Sequence, residues 1–264
     1  KLLLEKGYEV VGGERINAEK HNWRLKELQI DKDIRIIPFE LLDENNINKV
    51  IKSGKYSEFY NLAAQSFVNK SFLSPVYTTK INALSVVNIL EAIKNFSRNT
   101  KFYQASSSEM FGKINTKMRN EKTNFMPVSP YAVSKLYAHW MLDIYRNVHK
   151  LYCCSGILFN HDSMFRKKKF LIPRLVKSIK SKSFKKVDEI YQENISADFS
   201  HAEDICYGLY RLITTKKNPD KLIFSSNTKT YFNDLINFLL RKNKIKKRFI
   251  KNKKVSNSTP IGDN

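Results

Sequence analysis

The chain has 264 residues, enough for one large α/β domain with a substantial core, or for one such domain with a small appendage. Its formal net charge of +22 rests on lysines spread along the whole length, with clusters at Arg166-Lys167-Lys168-Lys169 and at 241–254. No recognisable nucleic-acid module accompanies that charge, so no nucleic-acid partner is expected. Cys153, Cys154 and Cys206 are too few and wrongly spaced for a disulfide framework or a zinc site, so no metal is expected and a reduced cytoplasm is the expected location. No apolar run is long enough to span a bilayer, so no membrane association is expected. Glu5 and Lys6 interrupt the one apolar stretch near the start, which does not read as a signal peptide.

In chain order, residues 1–6 read as the end of a helix closed by Gly7. A helix end at the first residue and a last stretch, 258–264, in mid-loop lead to the expectation of a sequence truncated at both ends. Short β-branched and aromatic runs predict strands at 8–11, 34–39, 58–62, 101–105, 152–159 and, shorter, 221–225. Amphipathic patterns between them predict helices at 45–52, 77–96 and 130–149. In the last of these, Val133, Leu136, Tyr137, Trp140, Met141, Ile144 and Val148 recur at three-to-four spacing and are expected in the core or in a subunit interface. Beyond Asn160 the alternation gives way to a basic segment and to helices at 173–181, 201–214 and 231–243. The sequence shows no internal repeat and no low-complexity linker.

Alternating strands and helices predict an α/β fold, a Rossmann-like doubly wound parallel sheet, in which ligands bind at the carboxyl ends of the strands. Polar clusters fall where that rule puts them. Glu40 follows one predicted strand, Ala63-Ala64-Gln65-Ser66 another, Ser107-Ser108-Glu109 a third and Asn160-His161 a fourth.

The most pointed constellation is Ser129-Pro130-Tyr131-Ala132-Val133-Ser134-Lys135. Ser129 is a good helix cap and Pro130 suits the first helical position. Tyr131 and Lys135, four residues apart, then share one helix face. An ammonium one turn from a phenol favours the phenolate. A Ser hydroxyl nearby can orient a substrate alcohol, and a carboxylate can move a second proton. Ser107 and Glu109 supply those groups at a strand end about two dozen residues upstream.

These residues resemble the extended short-chain dehydrogenase/reductase superfamily, and within it the GDP-mannose 4,6-dehydratases. The resemblance runs over essentially the whole chain. It rests on Leu3-Leu4-Glu5-Lys6-Gly7-Tyr8-Glu9-Val10, Tyr60-Asn61-Leu62-Ala63-Ala64-Gln65-Ser66, Phe102-Tyr103-Gln104-Ala105-Ser106-Ser107-Ser108-Glu109 and the Tyr131 segment, with Ile261-Gly262-Asp263-Asn264 similar to a late loop. Gly156-Ile157-Leu158-Phe159-Asn160-His161-Asp162-Ser163 discriminates best, because decarboxylases and many epimerases tend to carry an Arg-containing strand there. The chain also departs from the family pattern. The Gly-rich pyrophosphate turn is expected just before Lys1, and Gly12-Gly13 does not replace it. Of two adjacent Arg only Arg15 is present, with Ile16 in the second place; Ser107 replaces the common Thr, Glu40 the usual Asp, and Phe165-Arg166-Lys167 an Arg-Arg-Gly.

The resemblance implies an NADP-binding Rossmann domain over 1–160 and a smaller C-terminal substrate-binding region over 161–264, with 190–226 partly returning to the first. It implies NADP as cofactor, GDP-mannose as the nucleotide-sugar substrate, and a homodimer or homotetramer. It assigns Ser107, Glu109, Tyr131 and Lys135 to catalysis. Arg15, Glu40, Leu41, Leu62, Ala63, Ala64, Gln65, Ser66, Tyr77, Lys135, His161 and Arg166 are assigned to the cofactor. Ser107, Tyr131, Asn160 and Arg174 are assigned to substrate. Outside the resemblance, Arg15 is a surface Arg on a turn, His161 a structural histidine, and 167–169 a solvated charge run. Two other readings stand beside the dehydratase: another nucleotide-sugar dehydratase, epimerase or decarboxylase of the superfamily, and a catalytically inactive, basic Rossmann-like binding protein.

Overall fold

A computed structural model describes residues 1–16, 23–113, 118–168, 170–193, 195–247 and 249. Lys169, the end of the second basic cluster and the Ile261-Gly262-Asp263-Asn264 stretch lie outside the described residues.

Four strands form a parallel sheet in the order β3 (Glu58–Asn61), β4 (Lys101–Ser107), β5 (Cys153–Leu158), β8 (Lys221–Phe224). Beside it, β1 (Val10–Glu14) pairs in parallel with β2 (Ile34–Pro38). Among the described residues neither β1 nor β3 has a strand partner on its other edge. All six predicted strands are present. A third sheet was not expected: β6 (Asn160–Asp162) pairs in parallel with β7 (Ser196–His201), which pairs antiparallel with β9 (Lys229–Tyr231). These strands are short and mostly polar, so they give no period-2 signal.

The strand alternation distributes the core. Phe102 and Cys153 face one side, where they meet α3 (Glu44–Gly54), α6 (Ser85–Phe96) and α7 (Pro130–Asn147) through Ile47, Ile51, Ile89, Ile93 and Leu142. Their neighbours Tyr103 and Cys154 face the other side and meet Ile205, Leu209 and Ile213 of α10 (Ala202–Ile213). A parallel sheet buried on both faces accounts for strands that read as continuous apolar runs. A separate cluster joins α8 (Leu171–Lys180), the unpredicted α9 (Lys185–Glu193) and α11 (Phe232–Lys242) through Leu175, Ile179, Val187, Phe232 and Ile236.

One predicted helix differs from expectation. The one foreseen at 77–96 is interrupted: α5 (Pro75–Thr79) runs into a π-helical turn, Lys80–Leu84, and then into α6. In α7 the apolar stripe expected in the core or in a subunit interface divides, with Leu136 and Met141 partly buried against core clusters. Val133, Tyr137, Trp140, Ile144 and Val148 are exposed, and the buried face carries Ala132, Ala138, Leu142 and Tyr145 instead. No described helix is long and apolar enough to cross a membrane.

Candidate active site

The start of α7 is set by local chemistry. Ser129 Oγ accepts from the Ala132 amide at 3.1 Å, and Pro130 occupies the first turn. Tyr131 and Lys135 follow on the face that packs against β4 and against the 3₁₀ turn Ser108–Phe111. Both are buried, at 9% and 3% exposure. The Lys135 ammonium lies 6.0 Å from the Tyr131 ring centroid and donates to the Ala105 carbonyl at 2.9 Å. Burial pulls the Lys135 pKa down from 10.5 to about 8, because an ammonium loses its hydration there.

Ala105 leads into Ser107 at the end of β4, where Ser107 pairs with Leu158 of β5. Ser107 Oγ accepts from the Glu109 amide at 3.2 Å and so caps the 3₁₀ turn that carries Glu109. The Ser107 O–H remains a donor for another group. Gly112 ends this turn at φ +55°, and a Cβ there would fall 1.8 Å from the Met126 carbonyl oxygen. A glycine is therefore required, and it lets the following loop fold back so that Met126 N donates to Met110 O at 3.0 Å.

The other residues assigned to the cofactor lie just past β1, β2, β3 and β5 and on α5. Arg15 is exposed just past β1. Leu62, Ala63 and Ser66 are exposed and Ala64 half-buried just past β3. Tyr77 is partly exposed on α5. Glu40 donates its amide to Asn46 Oδ1 at 2.8 Å. His161 donates Nδ1–H to Phe159 O at 2.9 Å, and Arg166 donates to His161 O at 2.9 Å with its guanidinium 3.8 Å from the Phe170 ring centre. Two side chains turn elsewhere. Leu41 is buried in the core with α3 and α6, and Gln65 is buried with its side chain folded back onto Phe67 and Thr78, so neither side chain faces a ligand. Asn160 opens β6 opposite Phe199, and Arg174 is half-buried in α8. An exposed guanidinium at Arg15 past β1 and exposed apolar side chains at Leu62 and Ala63 past β3 are of the kinds that fit the phosphate and the base of a dinucleotide.

Sequence reasoning did not single out Asn82 and Ser134. Asn82, in the π-helical turn, binds both the amide and the carbonyl of Gln65 and reaches Ser134 Oγ. Its place four and seven residues before the apolar Val86 and Ile89, on the stripe that faces inward, is the signal that could have marked it.

A parallel Rossmann-like sheet, with a buried Tyr-x-x-x-Lys helix start against a Ser-Ser-Glu strand end, defines an extended short-chain dehydrogenase/reductase. A dTDP-glucose 4,6-dehydratase from Streptomyces venezuelae, solved with NAD bound, shares this fold at a TM-score of 0.79 and 17% identity, covering 92% of this chain and 76% of that one. The family model for GDP-mannose 4,6 dehydratase matches residues 1–261. A GDP-mannose 4,6-dehydratase from Vibrio cholerae is 37% identical over 213 residues, 77% of this chain and 57% of the relative. One from Drosophila melanogaster is 33% identical over 238 residues, 86% of this chain and 60% of the relative. The chain belongs to the GDP-mannose 4,6-dehydratase family, and it spans less than two thirds of the length of these relatives.

Proposed function

We propose that the protein is a hydro-lyase converting GDP-mannose to GDP-4-keto-6-deoxymannose and water with a retained nicotinamide cofactor. The observation that carries this reading is the burial of Tyr131 and Lys135 against β4, whose end holds both a hydroxyl, Ser107, and a carboxylate, Glu109. Ser107 would hydrogen-bond the carbon 4 hydroxyl, and Tyr131, as phenolate, would take its proton. Lys135 favours that phenolate by its charge and would hold the nicotinamide ribose. A bound nicotinamide cofactor would supply reversible hydride transfer, away from carbon 4 and back to carbon 6. A ketone at carbon 4 acidifies carbon 5; Glu109 would remove that proton and pass it to the carbon 6 hydroxyl, which leaves as water, and carbon 5 of the resulting alkene would take a solvent-derived proton as hydride arrives at carbon 6. A simple reductase has no second proton to move, so the carboxylate is the feature that separates the two activities.

NADP is the proposed form of the cofactor. Its support is Arg15, whose guanidinium matches a 2′-phosphate bidentately. The exposed stripe of α7 supports assembly into a homodimer or homotetramer. Reduced cytoplasm remains the proposed location.

Glu109→Gln tests the reading. It keeps the size of the side chain but cannot accept the carbon 5 proton, while Tyr131, Ser107 and Lys135 can still oxidise carbon 4. With GDP-mannose the variant is expected to accumulate reduced cofactor, seen by nicotinamide absorbance, and to release at least about a hundred-fold less deoxy product. Solvent deuterium enters carbon 5 of the wild-type product. Deoxy product at the wild-type rate would remove Glu109 from the mechanism.

A further inference from the structure

The lobe of α8, α9 and α11 carries charge that the candidate site does not use. α8 and α9 pack against each other, and the turn between them brings Lys182, Lys185 and Lys186 around Phe184. The chain just past α11 carries Lys244, Lys246 and Lys247 around Ile245. These two triplets are far apart in sequence, and the structure joins them. The Lys247 ammonium lies 5.8 Å from the Phe184 ring centre and 5.8 Å from that of Phe249, and the two rings are 6.2 Å apart. Phe184, Ile245 and Phe249 are partly buried against the core of the lobe, while all six lysines are exposed. Among the described residues none of the six takes part in an ion pair. Of the two acidic residues next along α9, Asp188 accepts from Gln192 Nε2 at 3.1 Å, and Glu189 is exposed.

The local backbone does not favour lysine at four of these places. Lys182 and Lys244 both hold φ +55° just past the ends of α8 and α11, where Gly or Asn is the less strained residue. Lys185 and Lys186 open α9, where the helix dipole disfavours a cation. Clustered ammoniums also repel one another, and an anionic partner removes that repulsion. The kind of anion follows from the residue types. All six cations are lysines, point charges on flexible stems that do not fork onto one phosphate as a guanidinium does. The rings between them pack into the lobe and offer no stacking platform for nucleic-acid bases. What the neighbourhood exposes is Phe238 of α11, half exposed, with the Lys242 ammonium 5.9 Å from its ring centre. An exposed ring beside a lysine cluster suits a lipid surface, with the ring at the acyl boundary and the ammoniums among headgroups.

We propose that this end of the lobe is a docking surface for an anionic lipid bilayer, with the six lysines on the headgroups and Phe238 at the acyl boundary. No described helix is long and apolar enough to cross a bilayer, and contact with headgroups needs none. The proposal does not rest on the dehydratase reading, because none of these residues is assigned to catalysis, cofactor or substrate.

The test uses the full chain and two kinds of vesicle, phosphatidylcholine alone and phosphatidylcholine with about one third phosphatidylglycerol. In co-sedimentation the chain is expected to bind the mixed vesicles at least about ten-fold more tightly than the neutral ones. Raising NaCl from about 0.1 to about 1 M shortens the Debye length from about 10 to about 3 Å and is expected to release most of the bound protein. The combined variant Lys182→Asn, Lys185→Gln, Lys186→Gln, Lys244→Asn, Lys246→Gln, Lys247→Gln removes the charge and puts Asn at the two left-handed positions. It is expected to keep the wild-type far-UV circular dichroism and to lose at least about a hundred-fold in affinity for the mixed vesicles. Phe238→Ala is expected to lose about ten-fold with an unchanged salt dependence. A wild type that binds both vesicles equally or neither, or a combined variant that binds like the wild type, would overturn the proposal. Tighter binding to duplex DNA or RNA than to the mixed vesicles, unaffected by Phe238→Ala, would assign the patch to nucleic acid and overturn it as well.

Discussion

Lys135 shows how one residue can be legible in its role and illegible in its energetics. Its spacing from Tyr131 could be read from the sequence, but its burial could not, because that depends on α7 lying flat on β4. The folded pKa of about 8 is below the ordinary 10.5, so between these values the unfolded chain holds the proton more tightly. Stability linked to Lys135 is therefore fully present above pH 10.5 and is lost as pH falls through 8. The difference between the two pKa values corresponds to about 3 kcal/mol. Lys135→Met removes this dependence along with turnover. Denaturant titrations of both proteins at pH 7 and at pH 10.5 are expected to show the wild type gaining roughly that amount relative to the variant. Parallel pH dependences would mean that Lys135 is hydrated in solution.

At the scale of the element, α7 has two faces with different tasks. On the inner face His139 is 1% exposed, with Nδ1 at 3.0 Å from Ser106 Oγ on β4 and 3.2 Å from Ser155 Oγ on β5, and with Nε2 buried. Burial, then the charge of Lys221, pulls its pKa from 6.5 to about 4; Asp220 acts the other way and Arg146 adds to the lowering. The edges of Phe125 and Trp140 pack on the ring. Protonation is thus favoured in the unfolded chain, and stability held above pH 6.5 is lost as pH falls through 4. His139→Gln keeps a polar group towards the two serines and does not titrate. Equilibrium unfolding at pH 7 and pH 4.5 is expected to show the wild type losing up to about 3 kcal/mol more than the variant across that range. Equal losses would assign the acid sensitivity to other groups. The 18-residue helix itself was readable from its cap and periodicity. Which of its apolar stripes faces inward was not, because both Ala-rich and aromatic spacings satisfy a helical period.

At the scale of the whole molecule, the outer stripe of α7 is exposed among the described residues. Val148 is 67% exposed, Val133 54% and Trp140 48%, in line along the helix. Contiguous exposed aromatic and aliphatic side chains mark interaction surfaces, and a central Trp dominates such contacts. A second copy of the chain is the proposed cover. Trp140→Glu together with Tyr137→Glu is expected to weaken self-association at least about thirty-fold, the effect of losing about 2 kcal/mol. Multi-angle light scattering would show the wild type as an oligomer and the variant as monomer at the same micromolar concentration, with unchanged far-UV circular dichroism. A monomeric wild type would remove the interface.

What the sequence determined by itself is local. Runs of Val, Ile, Phe and Tyr mark the six strands of the two parallel pieces, and Ser129-Pro130 marks the start of α7. The offset of four residues puts Tyr131 and Lys135 on one face, because periodicity and capping act over a single turn of chain. The short strands β6, β7 and β9 escaped because three to six mostly polar residues carry no period, and only their neighbours make them strands. The π-helical turn, the inward fold of Gln65, the three bonds of Asn82 and the depressed pKa values of Lys135 and His139 were settled by tertiary structure alone. Asn82 and Lys135 depend on main-chain groups of Gln65 and Ala105, and His139 on the hydroxyls of Ser106 and Ser155, brought within about 3 Å by the packing of α7 and the sheet, and no spacing along the sequence encodes that approach.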